Sequence, residues 1–173
     1  MSPRSTALAK FSSVFLRLAL GISFLSAVAD RFGVWGAYGQ PNVSWGDYAR
    51  FVAYTAKLNW FLPAAMIPTL AIIATAAETI FGLLLVLGWK TRIAALLSGL
   101  LLITFALTMT LALGGKAPLS LSAFSAAGGA LLLGARGKFP LSLDELLQRN
   151  RQGKWSVCGG SGDDRVLDAG HHH

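Results

Sequence analysis

From Leu62 to Ala135 the chain reads LPAAMIPTLAIIATAAETIFGLLLVLGWKTRIAALLSGLLLITFALTMTLALGGKAPLSLSAFSAAGGALLLGA, and within it only Glu78, Lys90, Arg92 and Lys116 are charged. A water-soluble fold needs a polar face on each helix or strand, and this stretch has too few polar residues to supply one. The rest of the chain is similarly short of charge. Of its 173 residues 13% are charged, against about 25% in a soluble domain. The 54% hydrophobic content excludes intrinsic disorder, and the single cysteine excludes a disulfide scaffold. Composition therefore predicts an integral membrane protein.

A helix crossing about 30 Å of hydrocarbon needs about 20 mostly apolar residues. Four stretches qualify, Phe11–Val28, Pro63–Leu87, Arg92–Leu113 and Pro118–Ala135, as continuous Leu/Ala/Ile blocks and not the period-2 alternation of barrel strands. Gly88-Trp89-Lys90 and Gly114-Gly115-Lys116 are short links, so the last three spans pack as antiparallel neighbours. Pro63 suits a helix start, and Pro68, one turn later, predicts a kinked beginning to the second span. The expected fold is an all-α, integral membrane four-helix bundle over residues 1–139. Basic residues set its orientation. An N-in, C-in topology puts Arg4, Lys10, Lys90, Arg92 and the tail residues Arg136, Lys138, Arg149, Arg151, Lys154 and Arg165 in the cytoplasm, against Arg31, Arg50, Lys57 and Lys116 outside. The net charge of +7 then faces anionic lipid and calls for no nucleic acid. A rival reading takes the first span as a signal peptide cut near Ala27-Val28-Ala29, which leaves three spans.

The one long loop, Asp30 to Phe61, is aromatic, and its second half reads as an outer interfacial helix. Ser44-x-x-Asp47 has capping-box spacing. Trp45, Tyr48, Phe51/Val52, Thr55 and Leu58 share one face; Asp47, Arg50, Tyr54 and Lys57 share another. Two readings stand side by side, a lid over the bundle mouth and an aromatic belt at headgroup level. In the tail, Ser142-x-x-Glu145 with Leu141 and Leu146 predicts a short cytoplasmic amphipathic helix over residues 140–155, resting on the inner leaflet or on a partner. Residues 156–173 read as a disordered tail, with His171–His173 either native or an appended tag.

Two charges fall inside spans, Arg17 and Glu78. Such groups are costly in hydrocarbon and generally face the bundle interior with a partner. Counted at 1.5 Å per residue, their depths differ by about 6 Å, which predicts an Arg17–Glu78 pair. That pair either fixes packing or lines a polar pocket for a headgroup, a quinone carbonyl or a proton; Arg17 has the further option of snorkelling to the headgroups. Gly21 and Gly82 let backbones approach beside them, while Thr104 and Thr108, and Ser125-x-x-x-Gly129, form small or polar packing stripes. No histidine precedes His171 and no C-x-x-C occurs, which excludes a bis-histidine haem and a dithiol oxidase. No nucleotide-binding or metal-ligand spacing is present, so no metal or covalent cofactor is expected. Asn42-Val43-Ser44 matches a glycosylation sequon, too short a match to argue from.

Leu16-Arg17-Leu18-Ala19-Leu20-Gly21-Ile22-Ser23-Phe24-Leu25 resembles the first-span R-x-x-x-G-x-x-F/L signature of the DoxX family. Glu78-Thr79-Ile80-Phe81-Gly82, continuing to Leu87-Gly88 and Arg92, is similar to that family's second-span pattern, as is Gly115-Lys116-Ala117-Pro118-Leu119 before its fourth span. The resemblance covers Val14 to Ala135. It departs at the end of span one, where the family often has a glycine and then a lysine and this chain has Ala27 and Asp30-Arg31. The resemblance implies a small multi-pass protein of the bacterial cytoplasmic membrane, akin to accessory subunits of quinone-linked redox systems, with quinone or lipid as the expected ligand. The other readings are a scaffold or assembly factor for a partner protein or a second copy, and a small-molecule transporter, for which four spans leave little interior volume.

Overall fold

The computed structural model describes residues 3–136 and 139–145, with side chains from Ala7 onward. Among them the fold is all helix: α1 Pro3–Arg31, α2 Tyr48–Leu58, α3 Ile67–Leu87, α4 Thr91–Leu113, α5 Lys116–Ser120 and α6 Ala123–Ala135, with one 3-10 turn at Ala64–Met66. Three segments, Ala7–Arg31, Ala64–Leu87 and Thr91–Leu113, are long and apolar enough to cross a membrane. The side chains they turn outward, among them Phe15, Ile22, Ile73, Ile80, Leu100 and Leu111, are exposed and apolar, as a surface solvated by lipid requires.

α1 packs along α3, α3 along α4, α4 along α6 and α6 back on α1, so four helices close a ring. The core between them is Leu20, Phe24, Leu85, Ala94, Ala95, Ala130 and Leu133. Small residues bring the backbones together. A Cβ on Gly21 would lie 2.9 Å from the Gly82 carbonyl, and one on Gly82 would lie 2.9 Å from the Leu25 side chain. The α4–α6 seam uses Gly99 against Leu131 and Gly134 against Leu96. Ser125, expected in a packing stripe with Gly129, is instead exposed; Gly129 faces Leu16 of α1.

The fourth apolar stretch differs from a continuous span over Pro118–Ala135. It breaks at Leu121-Ser122, where Ser122 takes a left-handed φ of 54° between α5 and α6. α6 has 13 residues, roughly 20 Å at 1.5 Å per residue, less than the hydrocarbon thickness. At the start of the second span Pro68 sits just after a change of helix type. A 3-10 turn precedes it and Pro68 falls in the first turn of α3, where its missing N–H has no helical partner to lose.

The two ends of the ring are covered by different parts of the chain. At one end α2 sits across α3 and α4 with Phe51, Thr55 and Leu58 buried. Its N-cap is Asp47, which accepts from the Arg50 N–H at 2.8 Å, so the helix starts at Tyr48 and not from a Ser44 cap. The Ser44 N–H is used elsewhere, by Asp30. At the opposite end lies the α3–α4 link, closed by Gly88 in the left-handed region at φ 70°. The chain after α6 returns over this link: the Asp144 carboxylate accepts the backbone N–H groups of Lys90 at 2.9 Å and Thr91 at 2.8 Å. Ser142 and Glu145 form their cap, with the Glu145 N–H donating to Ser142 Oγ. The remainder of the expected tail helix and residues 156–173 lie outside the described residues.

Candidate functional site

The antiparallel α1–α3 contact fixes which charges meet. Gly21 faces Gly82 and Val86, and a Cβ on Gly88 would collide with the Arg17 guanidinium. Arg17 is therefore level with Gly88, ten residues or roughly 15 Å along α3 from Glu78. The expected Arg17–Glu78 pair does not form. The depth count started α1 at Phe11, whereas the helix begins at Pro3 and the level of Gly88 falls at Arg17. Arg17 is buried and donates from Nη2 to the Leu141 carbonyl at 2.7 Å, under the returning segment that carries Asp144.

The partner of Glu78 is Arg31, the last residue of α1. Arg31 Nη2 donates to Glu78 Oε2 at 2.6 Å with both side chains 3% exposed. Arg31 Nη1 donates to Thr75 Oγ1 at 2.9 Å, and the Thr75 hydroxyl donates in turn to the Ala71 carbonyl at 2.8 Å. Above the pair the guanidinium lies 3.7 Å from the Phe51 ring centroid and 5.4 Å from that of Trp45. A cation between a carboxylate and an aromatic face is stabilised from both sides where water is excluded. Arg31 Nε is buried without a partner among the described residues, one donor left over in a largely apolar setting.

Arg31 borders a cavity of about 150 Å³ between α2, α3 and α4, about the size that holds one benzene-sized ring. Arg31 and Glu78 line one wall, Phe51, Tyr54 and Leu58 of α2 the roof, and Thr104, Phe105 and Thr108 of α4 the far side. Burial pushes the Tyr54 phenol above its ordinary pKa, so it stays a neutral donor. Thr104 and Thr108 bond back to their own helix, at Leu100 O and at Thr104 O and Phe105 O. Thr104 is exposed, so the cavity opens sideways at α4, between helices whose outer faces are apolar. The arrangement suits a small flat ring with an acceptor for Arg31, delivered from a lipid phase.

Of the sequence-derived residues, Glu78, Thr104 and Thr108 lie around this cavity. Arg17 lies at the other end, and Gly21, Gly82 and Gly129 lie at helix contacts. The sequence reads Asp30 and Arg31 as the start of the long loop, whereas both belong to α1. Two signals in the sequence pointed to them: Asp30-Arg31 is where the chain departs from the family pattern, and Arg31 follows Arg17 by two heptads, hence on the same helix face. Among the described residues no group of three metal-ligating side chains occurs. A family model described as DoxX matches residues 12–112. No curated protein and no solved structure matches the chain.

Proposed function

The chain belongs to the DoxX family and is a multi-pass membrane protein; from that premise we propose that it serves a quinone-linked redox system of the bacterial cytoplasmic membrane as an accessory subunit, holding the ring of a lipid-soluble ligand beneath α2. The observation that carries this reading is the ring-sized cavity opening sideways beside a buried Arg31–Glu78 pair. Its residues fit a quinone: the unpartnered Arg31 Nε would hold a carbonyl oxygen, Phe51 and Phe105 would pack the ring, and α2 would keep water out. A bound quinone supplies a two-electron acceptor, and the electrons come from a partner enzyme. No catalytic residue belongs to this chain in that scheme.

The topology we propose is four crossings, N-in and C-in, with α5 and α6 together making the fourth as a broken helix. Break geometry supports this in part: the Leu121 and Ser122 N–H groups bond to Ala117 O and Leu119 O, so α5 ends with its donors paired, while α6 opens without a side-chain cap. Charge supports the orientation. Lys90, Arg92 and Arg136 lie at the end away from α2, and Arg136 reaches back to Ala9 O and Ser13 Oγ of α1. At the α2 end Arg31 is buried and ion-paired, so it drops out of the exposed cations there and the bias sharpens.

Purification in mild detergent, lipid extraction and quinone assay test the reading. Co-purified quinone, reduced in amount by Glu78→Gln, is expected. A chain that carries no quinone, with partner-dependent quinone reduction unchanged in Glu78→Gln, would sink it. The scaffold reading draws on the exposed Trp35, Tyr38, Trp60 and Phe61 of the loop end; co-purification of one stoichiometric protein that leaves when those residues are replaced by Ser would favour it.

A further inference from the structure

On the side of α1 turned away from α3, a groove of about 530 Å³ runs under the loop that follows the helix. Ser23, Ser26 and Asp30 form its floor, and Trp35, Asn42 and Trp45 form its walls. Trp35 is fixed across the groove by its Nε1–H, which donates to the Ser26 carbonyl at 3.1 Å. Asp30 is 5% exposed. Its Oδ2 accepts the N–H groups of Ser44 and Trp45, both at 3.0 Å. Its Oδ1 is buried with no partner among the described residues. A carboxylate oxygen shielded from water and lacking a donor is a site waiting for one.

We propose that this groove binds the primary-ammonium headgroup of a phospholipid, with Asp30 Oδ1 accepting from the ammonium and the two indoles flanking it. The charge decides against an anionic group, which the carboxylate repels. The indole faces attract a cation, and Ser23 and Ser26 offer hydroxyls to the rest of a polar headgroup. The source is lipid because the groove descends along an outward face of α1 to Ile22, which is 58% exposed and would lie against an acyl chain. This site is separate from the α2 cavity and does not rest on the quinone reading, although Trp45 borders both.

The test places the full chain in nanodiscs of mixed phosphatidylethanolamine and phosphatidylglycerol and reads retained lipid by native mass spectrometry. Wild type should retain the ethanolamine lipid about fivefold or more over its bulk share, the scale of one partly shielded cation–aromatic contact. Asp30→Asn should bring that ratio to parity. Trp35→Leu, at an exposed position, should lower it too. Asp144→Ala, at the opposite end of the ring, should leave it unchanged, which separates this groove from a general loosening of the fold. Equal retention of both lipids by wild type, or preference for the glycerol lipid, overturns the proposal. So does undiminished enrichment in Trp35→Leu, even where Asp30→Asn fails to fold.

Discussion

At the residue scale the Arg31–Glu78 pair governs the α2 end. Both groups are buried, so each makes the other tolerable, and losing either strands a charge. Glu78→Leu alone and Arg31→Met alone should each destabilise the protein by about 3 kcal/mol, whereas the double replacement should recover most of that loss. Thermal unfolding in detergent of the four proteins in this cycle measures it; single and double variants that melt alike would show the pair to be uncoupled. Arg17, once expected to meet Glu78, is held by Leu141 O. The stripe it shares with Arg31 was readable in the sequence; which of two arginines on one face lies level with a given glutamate depends on the sliding register of two helices, which composition does not encode.

At the element scale, caps and contacts contributed from distant residues matter most. α4 begins without a side-chain cap of its own, and Asp144, more than fifty residues later, accepts its first N–H groups. Asp144→Ala should cost about 1 kcal/mol, the worth of a lost cap, and should speed hydrogen exchange at Lys90 and Thr91 while leaving α2 unaffected. α2 carries its own cap. The backbone N–H of Arg50 holds the Asp47 carboxyl below its ordinary pKa, so the unfolded chain takes up a proton before the folded one does. The cap's contribution is thus fully present above the ordinary carboxylate range and is lost as pH falls through the lowered folded value. Protection factors at the amides of α2, taken relative to the intrinsic exchange rate at each pH, should fall on acidification in wild type, with the step absent in Asp47→Asn. Between α1 and α3, Gly82→Leu should push the helices apart at Gly21 and cost about 2 kcal/mol; a Gly82→Ala variant should lie between it and wild type in melting temperature.

At the scale of the whole molecule, the ring of α1, α3, α4 and α6 leaves an opening between α3 and α4 that α2 fills at one end, while the segment from Phe139 closes the other. The proposed four-crossing, N-in topology would put the Lys116 turn outside and the chain after α6, with Cys158, inside. A membrane-impermeant maleimide added to spheroplasts should therefore label Lys116→Cys in a Cys158→Ser background and spare native Cys158; the reverse pattern would invert the molecule, and labelling of both would break the four-crossing count. By itself the sequence determined the class. A charge-poor run from Leu62 to Ala135 has no polar face to offer water, and residue order alone places the apolar blocks and the glycine links between them. It also marked Glu78, because a lone acid in such a run must find a partner. Only the tertiary structure decided that the partner is Arg31, that α2 roofs a cavity instead of lying apart, that Asp30 keeps an unsatisfied oxygen beneath the loop, and that the last apolar block breaks at Ser122. Each of these follows from the level at which one helix slides past another and from where the chain doubles back. Those distances are set by side-chain shapes across an interface, at Gly21 and Gly82 above all, and not by any property of one segment read along its own length.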